Sequence, residues 1–455
     1  MGDVISKIIS EVPDYQAFKT VQELDESSAV LAEKYPEVVS FYEIGKSTAG
    51  NPVNCLKIGN GSKSALLYGF PHPNEPIGSM VLDYLAEKLA ENEEFRNKFD
   101  FTWYIVKAAD VDGAKLNEGW FKGPYTLLNY ALNFYRPASN QQVEWTFPID
   151  YKTLNFNTPI PETVALMNII EEAKPVFIYS LHNAGFGGVY NYISEDAPLL
   201  YPILEKAYKD LNLPAALGEP EMPYAVKLAD AVYIMPTIED SYDHMEKHGQ
   251  GDPAEVINCG TSSIGYAKRF SDKVFELVCE VPYYYDPRVE DMSETEHNRR
   301  DLVLKGIDRN KKLYDEIESI YLKHKENMTV NSPVRQALEY FTETYKKHLP
   351  TSINWAKNAP ELERNATMAE FFDNGPVAES YNLLMWGMLR RIMLENFEAT
   401  KNDEFKIEAE KIYDLMVKHS LETDKKMEFH VIPIKKLVQV QLMSGIYAAM
   451  YSEKL

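Results

Sequence analysis

Four short runs of nearly continuous apolar and aromatic residues stand out in the first 290 positions: 64–70 (SALLYGF), 101–107 (FTWYIVK), 175–181 (PVFIYSL) and 273–281 (KVFELVCEV). Runs of this length, bounded by Pro, Gly and Asn, predict strands buried on both faces. Between them, 77–95 (IGSMVLDYLAEKLAENEEF) and 162–173 (ETVALMNIIEEA) place apolar residues at helical spacing. Alternating strands and helices predict an α/β fold, with three layers and a central mixed sheet covered by helices on both faces. Beyond about residue 290 the strand-like runs nearly vanish. Val303, Ile307, Tyr314, Ile317 and Tyr321 recur at helical spacing, and further helices are predicted over 333–348, 376–399 and 403–421. A last helix is expected from Pro433, a residue suited to the first helical position. The expected organisation is a catalytic domain over 1–295 followed by a mostly α C-terminal domain over 296–455.

Composition narrows the partners. The 455 residues suit two domains, and 45% hydrophobic with 25% charged residues excludes disorder and low complexity at chain scale. No apolar run approaches the ~18 residues of a membrane span, and the start carries Asp3 with no apolar core of a signal peptide. A cytoplasmic chain without membrane contact is therefore expected. The 47 basic and 69 acidic residues give a formal charge of −22, which argues against nucleic acid as a partner. Three cysteines without CxxC spacing (Cys55, Cys259, Cys279) favour neither a disulfide framework nor a thiolate zinc site.

Chemistry gathers where the buried runs end. Pro71-His72-Pro73-Asn74-Glu75-Pro76 follows the first run, His182-Asn183 follows the third, and Glu280 closes the fourth. Open α/β sheets bind ligands beyond the carboxyl ends of their strands, so two His and two Glu from three strands are expected to meet there. Two imidazoles and a carboxylate form a common catalytic zinc set with a position left for water. The flanking prolines keep His72 and Glu75 in a loop.

The order of segments resembles the zinc carboxypeptidase family, the metallopeptidases related to carboxypeptidase A. Ile44-Gly45-Lys46-Ser47-Thr48-Ala49-Gly50-Asn51-Pro52 is similar to that family's "IGxSxxGRP", His72-Pro73-Asn74-Glu75 to its HxxE, and Ala109-Asp110-Val111-Asp112-Gly113 to its "NPDG". Ser180-Leu181-His182-Asn183 is similar to its "SLHS", and Cys279-Glu280-Val281 to the strand bearing its catalytic Glu. The resemblance spans roughly residues 15–290. It implies one Zn²⁺ per chain held by His72, Glu75 and His182, and Glu280 as general base toward a metal-activated water. Glu276, four residues earlier on the same strand face, is the rival base. Arg136, in Asn133-Phe134-Tyr135-Arg136-Pro137, is implied as the donor that stabilises the oxyanion.

Two departures bear on specificity. The family's "DLNRN" segment is read here as Thr153-Leu154-Asn155-Phe156-Asn157, so Asn155 is kept and the Arg that grips a free C-terminal carboxylate becomes Phe156. The Asp that orients a zinc His becomes Thr153, with Asp150 a replacement. In Ile257-Asn258-Cys259-Gly260-Thr261-Ser262-Ser263-Ile264, the family's mobile Tyr is missing, with Tyr233, Tyr242 and Tyr266 as substitutes in space, and Ile264 is expected to floor an apolar side-chain pocket. Lys115, Lys122 and Arg269, with Arg136, are the cations that could replace the lost clamp. The expected activity is hydrolysis of a peptide bond by a zinc metallopeptidase of the carboxypeptidase type. The alternatives are a zinc amidohydrolase acting on an acylated amino acid or a cell-wall peptide, and a binding protein on the same fold without turnover. The C-terminal helices are expected to cap the cleft, pair two copies or hold a partner.

Overall fold

The computed structural model describes residues 2–455, with side chains from Val4 onward. Its strands are β1 (Val39–Lys46), β2 (Pro52–Ile58), β3 (Lys63–Tyr68), β4 (Phe101–Val106), β5 (Ile149–Tyr151), β6 (Leu154–Phe156), β7 (Phe177–Ser180), β8 (Tyr190–Ile193), β9 (Lys227–Ala229), β10 (Val232–Ile234) and β11 (Phe275–Glu280), with further short strands of two to five residues beyond. Nine of them form one mixed sheet in the order β1-β2-β4-β3-β7-β11-β8-β10-β9. β4, β3, β7 and β11 run parallel, and β8 joins β11 antiparallel. All four expected runs lie in this parallel centre. Every residue of β4, β7 and β11 is buried, as strands covered on both faces require.

Strand parity assigns the faces. Tyr179, Leu277 and Cys279 point one way, and Ser180, Glu276, Val278 and Glu280 the other, because side chains alternate along a strand. On the first face lie the helices Ile77–Glu91, Tyr201–Lys209 and Ile434–Ser452. On the second lie Pro161–Ala173 and Ser263–Ala267, where the Ser263 hydroxyl donates to Glu276. The result is the expected helix–sheet–helix sandwich.

Packing crosses residue 295. The final helix Ile434–Ser452 sits on β7 and β11. Gly445 meets the ring of Tyr179 so closely that a Cβ there would stand 2.4 Å from Tyr179 Cε1. The helices Arg299–Lys325, Pro333–Asn358, Ala378–Thr400 and Asp403–Asp424 are thus carried between β11 and the last helix of the α/β layer. One hydrophobic core runs through both parts, from Ile5 to Ala449. Ala378–Thr400 docks on Leu127–Asn133 at Gly387, where a Cβ would come within 1.8 Å of the Ala131 carbonyl.

Local differences from the sequence reading have plain causes. The helix expected over 333–348 continues to Asn358 through Pro350, because Thr351 and Ala356 beyond it are buried and that packing offsets the lost backbone bond. Residues Glu294–Asn298 form a strand paired with Asn365–Thr367, so the first helix of the insert begins at Arg299 with Asn298 as its cap. Among the described residues no helix is long and apolar enough to cross a membrane. The three cysteines are free and buried.

Candidate metal centre

The carboxyl ends of three central strands stand side by side: Tyr68 of β3 pairs with Ser180 of β7, and Ser180 with Val278 of β11. Each strand end then delivers one expected side chain. After β3 the chain turns at Phe70, held at φ +51 with its ring fully buried, and enters the proline-bounded loop that carries His72 and Glu75. His182 lies two residues beyond β7, and Glu280 is the last residue of β11. All four side chains are buried. Sequence position and structure agree that these four meet.

Their geometry is specific. Nδ1 of His72 and Nδ1 of His182 are 3.2 Å apart. Glu75 Oε1 lies 3.0 Å from the first and Oε2 lies 3.1 Å from the second. A second carboxylate faces the opposite sides of both rings, with Glu144 Oε2 3.1 Å from His72 Nε2 and Oε1 3.2 Å from His182 Nε2. The Ser180 hydroxyl lies 2.8 Å from the same nitrogen of His182. With the Nε2 protons directed at Glu144, the Nδ1 atoms of both rings face the Glu75 carboxylate. Two imidazole nitrogens and a carboxylate brought together this way are a donor set that a divalent cation can bind. Ligand atoms ~2.1 Å from one tetrahedral Zn²⁺ are about 3.4 Å apart, close to the spacings here. Donor set and separations fit zinc. Of Glu75 and Glu144, the Glu75 side is also the side of Glu280, whose Oε1 is 3.9 Å from His182 Nδ1. His72, Glu144 and His182 also lie close enough together to hold a cation.

Electrostatics follows from burial and these contacts. Burial pushes the carboxyls of Glu75 and Glu144 upward, yet the two imidazoles outweigh it and hold both well below the usual carboxylate range. Burial lowers His182, but Glu144 and Glu75 together raise it well above an ordinary imidazole. Glu280 is pushed well above the usual range by burial first and by Glu75 next. Glu276 is buried deeper in the sheet, where it accepts the Ser263 hydroxyl at 2.8 Å, and burial raises it to about 8. It does not line the cavity, whereas Glu280 does.

Arg136 reaches the site from the coil after Leu127–Asn133. Its Nη2 is 2.7 Å from both ring nitrogens of His72, and its Nη1 is 3.5 Å from Glu75 Oε1. Asn117 fixes the backbone beside it, donating to the Tyr135 carbonyl at 2.9 Å and accepting the Tyr135 N–H at 3.0 Å. The cavity over the site has a volume of about 660 Å³. It is walled on one side by Asp373, Val377, Ala378, Tyr381 and Leu384, so the helical insert covers the cleft.

Other expected site residues fall elsewhere. Asn155 is exposed on the β5–β6 hairpin, and Phe156 is buried in a small separate core with Ile149, Leu154, Tyr242, Ile257 and Cys259. Neither lines the cavity, and Asp150 and Thr153 are on the same hairpin. The carboxylate facing His72 and His182 is Glu144 instead. Its segment is tied to Gly260 and Thr261 by backbone bonds from Gly260 to Trp145 and between Phe147 and Thr261. Ile264 is buried in the main core rather than in the cavity wall, which Ser262, Val278 and Met235 supply. Of the three tyrosines considered for the missing capping residue, Tyr233 lines the cavity. Tyr242 is packed in the small core, and Tyr266 against Phe147. Of the four cations considered for the clamp, Arg136 alone reaches the cavity. Lys115 bonds Asn51, Lys122 bonds Glu23, and Arg269 bonds the Pro148 carbonyl.

The profile of a family described as zinc carboxypeptidase matches residues 25–369. A comparison with curated protein sequences gives no match. Among solved structures, the chain is similar to the carboxypeptidase A of Helicoverpa armigera at 16% identity, over 62% of this chain and 70% of that one, with a TM-score of 0.39. It is also similar to a metallo-carboxypeptidase from Burkholderia cenocepacia at 16% identity, over 60% of this chain and 61% of that one, with a TM-score of 0.35.

Proposed function

This chain belongs to the zinc carboxypeptidase family, and from that premise we propose that it is a zinc-dependent peptidase in which His72, Glu75 and His182 hold the metal. The observation that carries the reading is the convergence of two Nδ1 atoms and one carboxylate at 3.0–3.2 Å, next to Glu280. Zinc bound there supplies a Lewis acid and lowers the pKa of water to about 7.

The chain's own residues carry the rest. Glu144 accepts from both Nε2 atoms and so fixes the tautomer and orientation of both rings. Glu280, at the open end of β11, takes the proton of the attacking water and returns it to the departing nitrogen. Arg136 places a guanidinium beside His72, where it donates to the oxygen that gains charge as the carbonyl is attacked. The insert helix carrying Tyr381 and Leu384 restricts water around the scissile bond.

The substrate is a short peptide or a small amide. A free C-terminal carboxylate lacks the paired Arg–Asn anchor, since Phe156 and Asn155 lie outside the cavity. Arg136 is the single Lys or Arg on its wall among the described residues.

The test is Glu280→Gln. The variant should bind one zinc per chain as the unaltered protein does, and lose hydrolysis of blocked and unblocked peptides by about 10²–10⁴-fold. Retained turnover at normal zinc content contradicts the assignment of the base. Zinc without turnover in both proteins favours the binding-protein alternative.

A further inference from the structure

The wall of the cavity is unusually one-sided in charge. Glu75, Glu144, Glu219, Glu221, Glu280 and Asp373 line it, against Arg136. Most of these carboxylates are already engaged. Glu75 and Glu144 face the two histidines, and Glu219 is bonded to Arg299. Asp373 accepts the Glu219 N–H at 2.9 Å, and burial raises it to about 7. Glu221 is different. Its Oε1 accepts the Tyr190 hydroxyl at 2.6 Å and its Oε2 the Tyr192 hydroxyl at 3.0 Å, and it forms no ion pair with any described residue.

Those two bonds fix where Glu221 stands. Tyr190 is directly opposite Glu280 across the β8–β11 ladder, and Tyr192 is opposite Val278. The carboxylate is therefore mounted on the residue beside the proposed base, and each oxygen keeps a lone pair free. Tyr190, Tyr192, Tyr233, Tyr381 and Phe186 supply aromatic faces around the same space. Carboxylate and aromatic faces together are a receptor for an organic cation.

Resting on the peptidase reading above, we propose that Glu221 is a specificity residue that binds a cationic group of the substrate, an ammonium or guanidinium. The lost grip on a terminal carboxylate is replaced by a grip on a positive charge. The cation can come from the peptide's amino terminus or from a basic side chain, and the experiment separates the two.

Zinc-loaded Glu280→Gln protein is titrated by calorimetry with short peptides that differ at one position, Lys against norleucine, each with a free or an acetylated amino terminus. The same titrations are run on Glu280→Gln/Glu221→Gln. The cationic member of at least one pair should bind about tenfold or more tightly, as expected for a hydrogen bond to a charged group. That preference should shrink to about threefold or less in the double variant. A lysine-dependent preference assigns a side-chain subsite, and an acetylation-dependent one assigns an amino-terminal subsite. Equal affinities throughout, or a preference that survives Glu221→Gln, overturns the proposal. Failure of the unaltered protein to hydrolyse any of these peptides, with the binding preference intact, sinks the peptidase reading and leaves the subsite standing.

Discussion

Nδ1 of His72 and Nδ1 of His182 lie 3.2 Å apart although the residues are 110 positions apart in the chain. Both rings are pinned from behind by one side chain, Glu144, which spans the two Nε2 atoms. A single carboxylate thus sets two ligands at once.

That bridging role makes Glu144→Gln informative. An amide can accept only through its oxygen, so one of the two rings loses its partner. Zinc affinity should fall about 10–100-fold, as for loss of a carboxylate behind a metal-bound His. Competition with a chelator of known affinity measures it. Glu75→Gln should be more severe, because it removes a ligand. Equal effects of the two variants contradict the division of roles.

Glu276 offers a pH test away from the metal. Burial raises its folded-state pKa to about 8 from an unfolded value of 4.5. A raised pKa means that the folded state favours the protonated acid. The stability it contributes is full below pH 4.5 and is lost as pH rises through about 8. In Glu276→Gln that loss is absent. Urea unfolding at steps across this interval should show the unaltered protein weakening relative to the variant as pH rises. Parallel curves contradict a protonated Glu276 in the folded state.

The final helix provides a structural test. Gly445→Ala places a methyl where Tyr179 Cε1 is 2.4 Å away, on β7, the strand that leads to His182. The cost should be about 1–3 kcal/mol, read by denaturant unfolding. An unchanged midpoint contradicts the placement of this helix on the sheet. Gln441 is on the same helix and donates to the carbonyls of His182 and Cys279, so part of the loss should appear as weaker zinc binding.

What the sequence made legible follows from these contacts. Strand ends are local features: a buried run, then a proline loop or a lone His, can be read without knowing the fold. His72, Glu75, His182 and Glu280 come from such ends, and all four meet. Glu144 lies in a coil with no periodic signal and is held by backbone bonds to Gly260 and Thr261, more than 100 residues later. Nothing near it in the chain announces that pairing, although it is the first carboxylate after Arg136. The Leu154-Asn155-Phe156 segment differs from the expectation because hairpin burial, rather than cavity lining, explains an apolar Phe between polar neighbours. The final helix was legible as a helix but not as part of the sheet layer, since its apolar positions do not say which surface they cover.

Diffraction from crystals of the zinc-loaded protein, recorded on both sides of the zinc absorption edge, tests the central claim most directly. The account predicts one anomalous peak per chain, bounded by Nδ1 of His72, Nδ1 of His182 and the Glu75 carboxylate. A peak on the far side of the rings, between their Nε2 atoms and Glu144, or no peak within bonding reach of the two histidines, contradicts it.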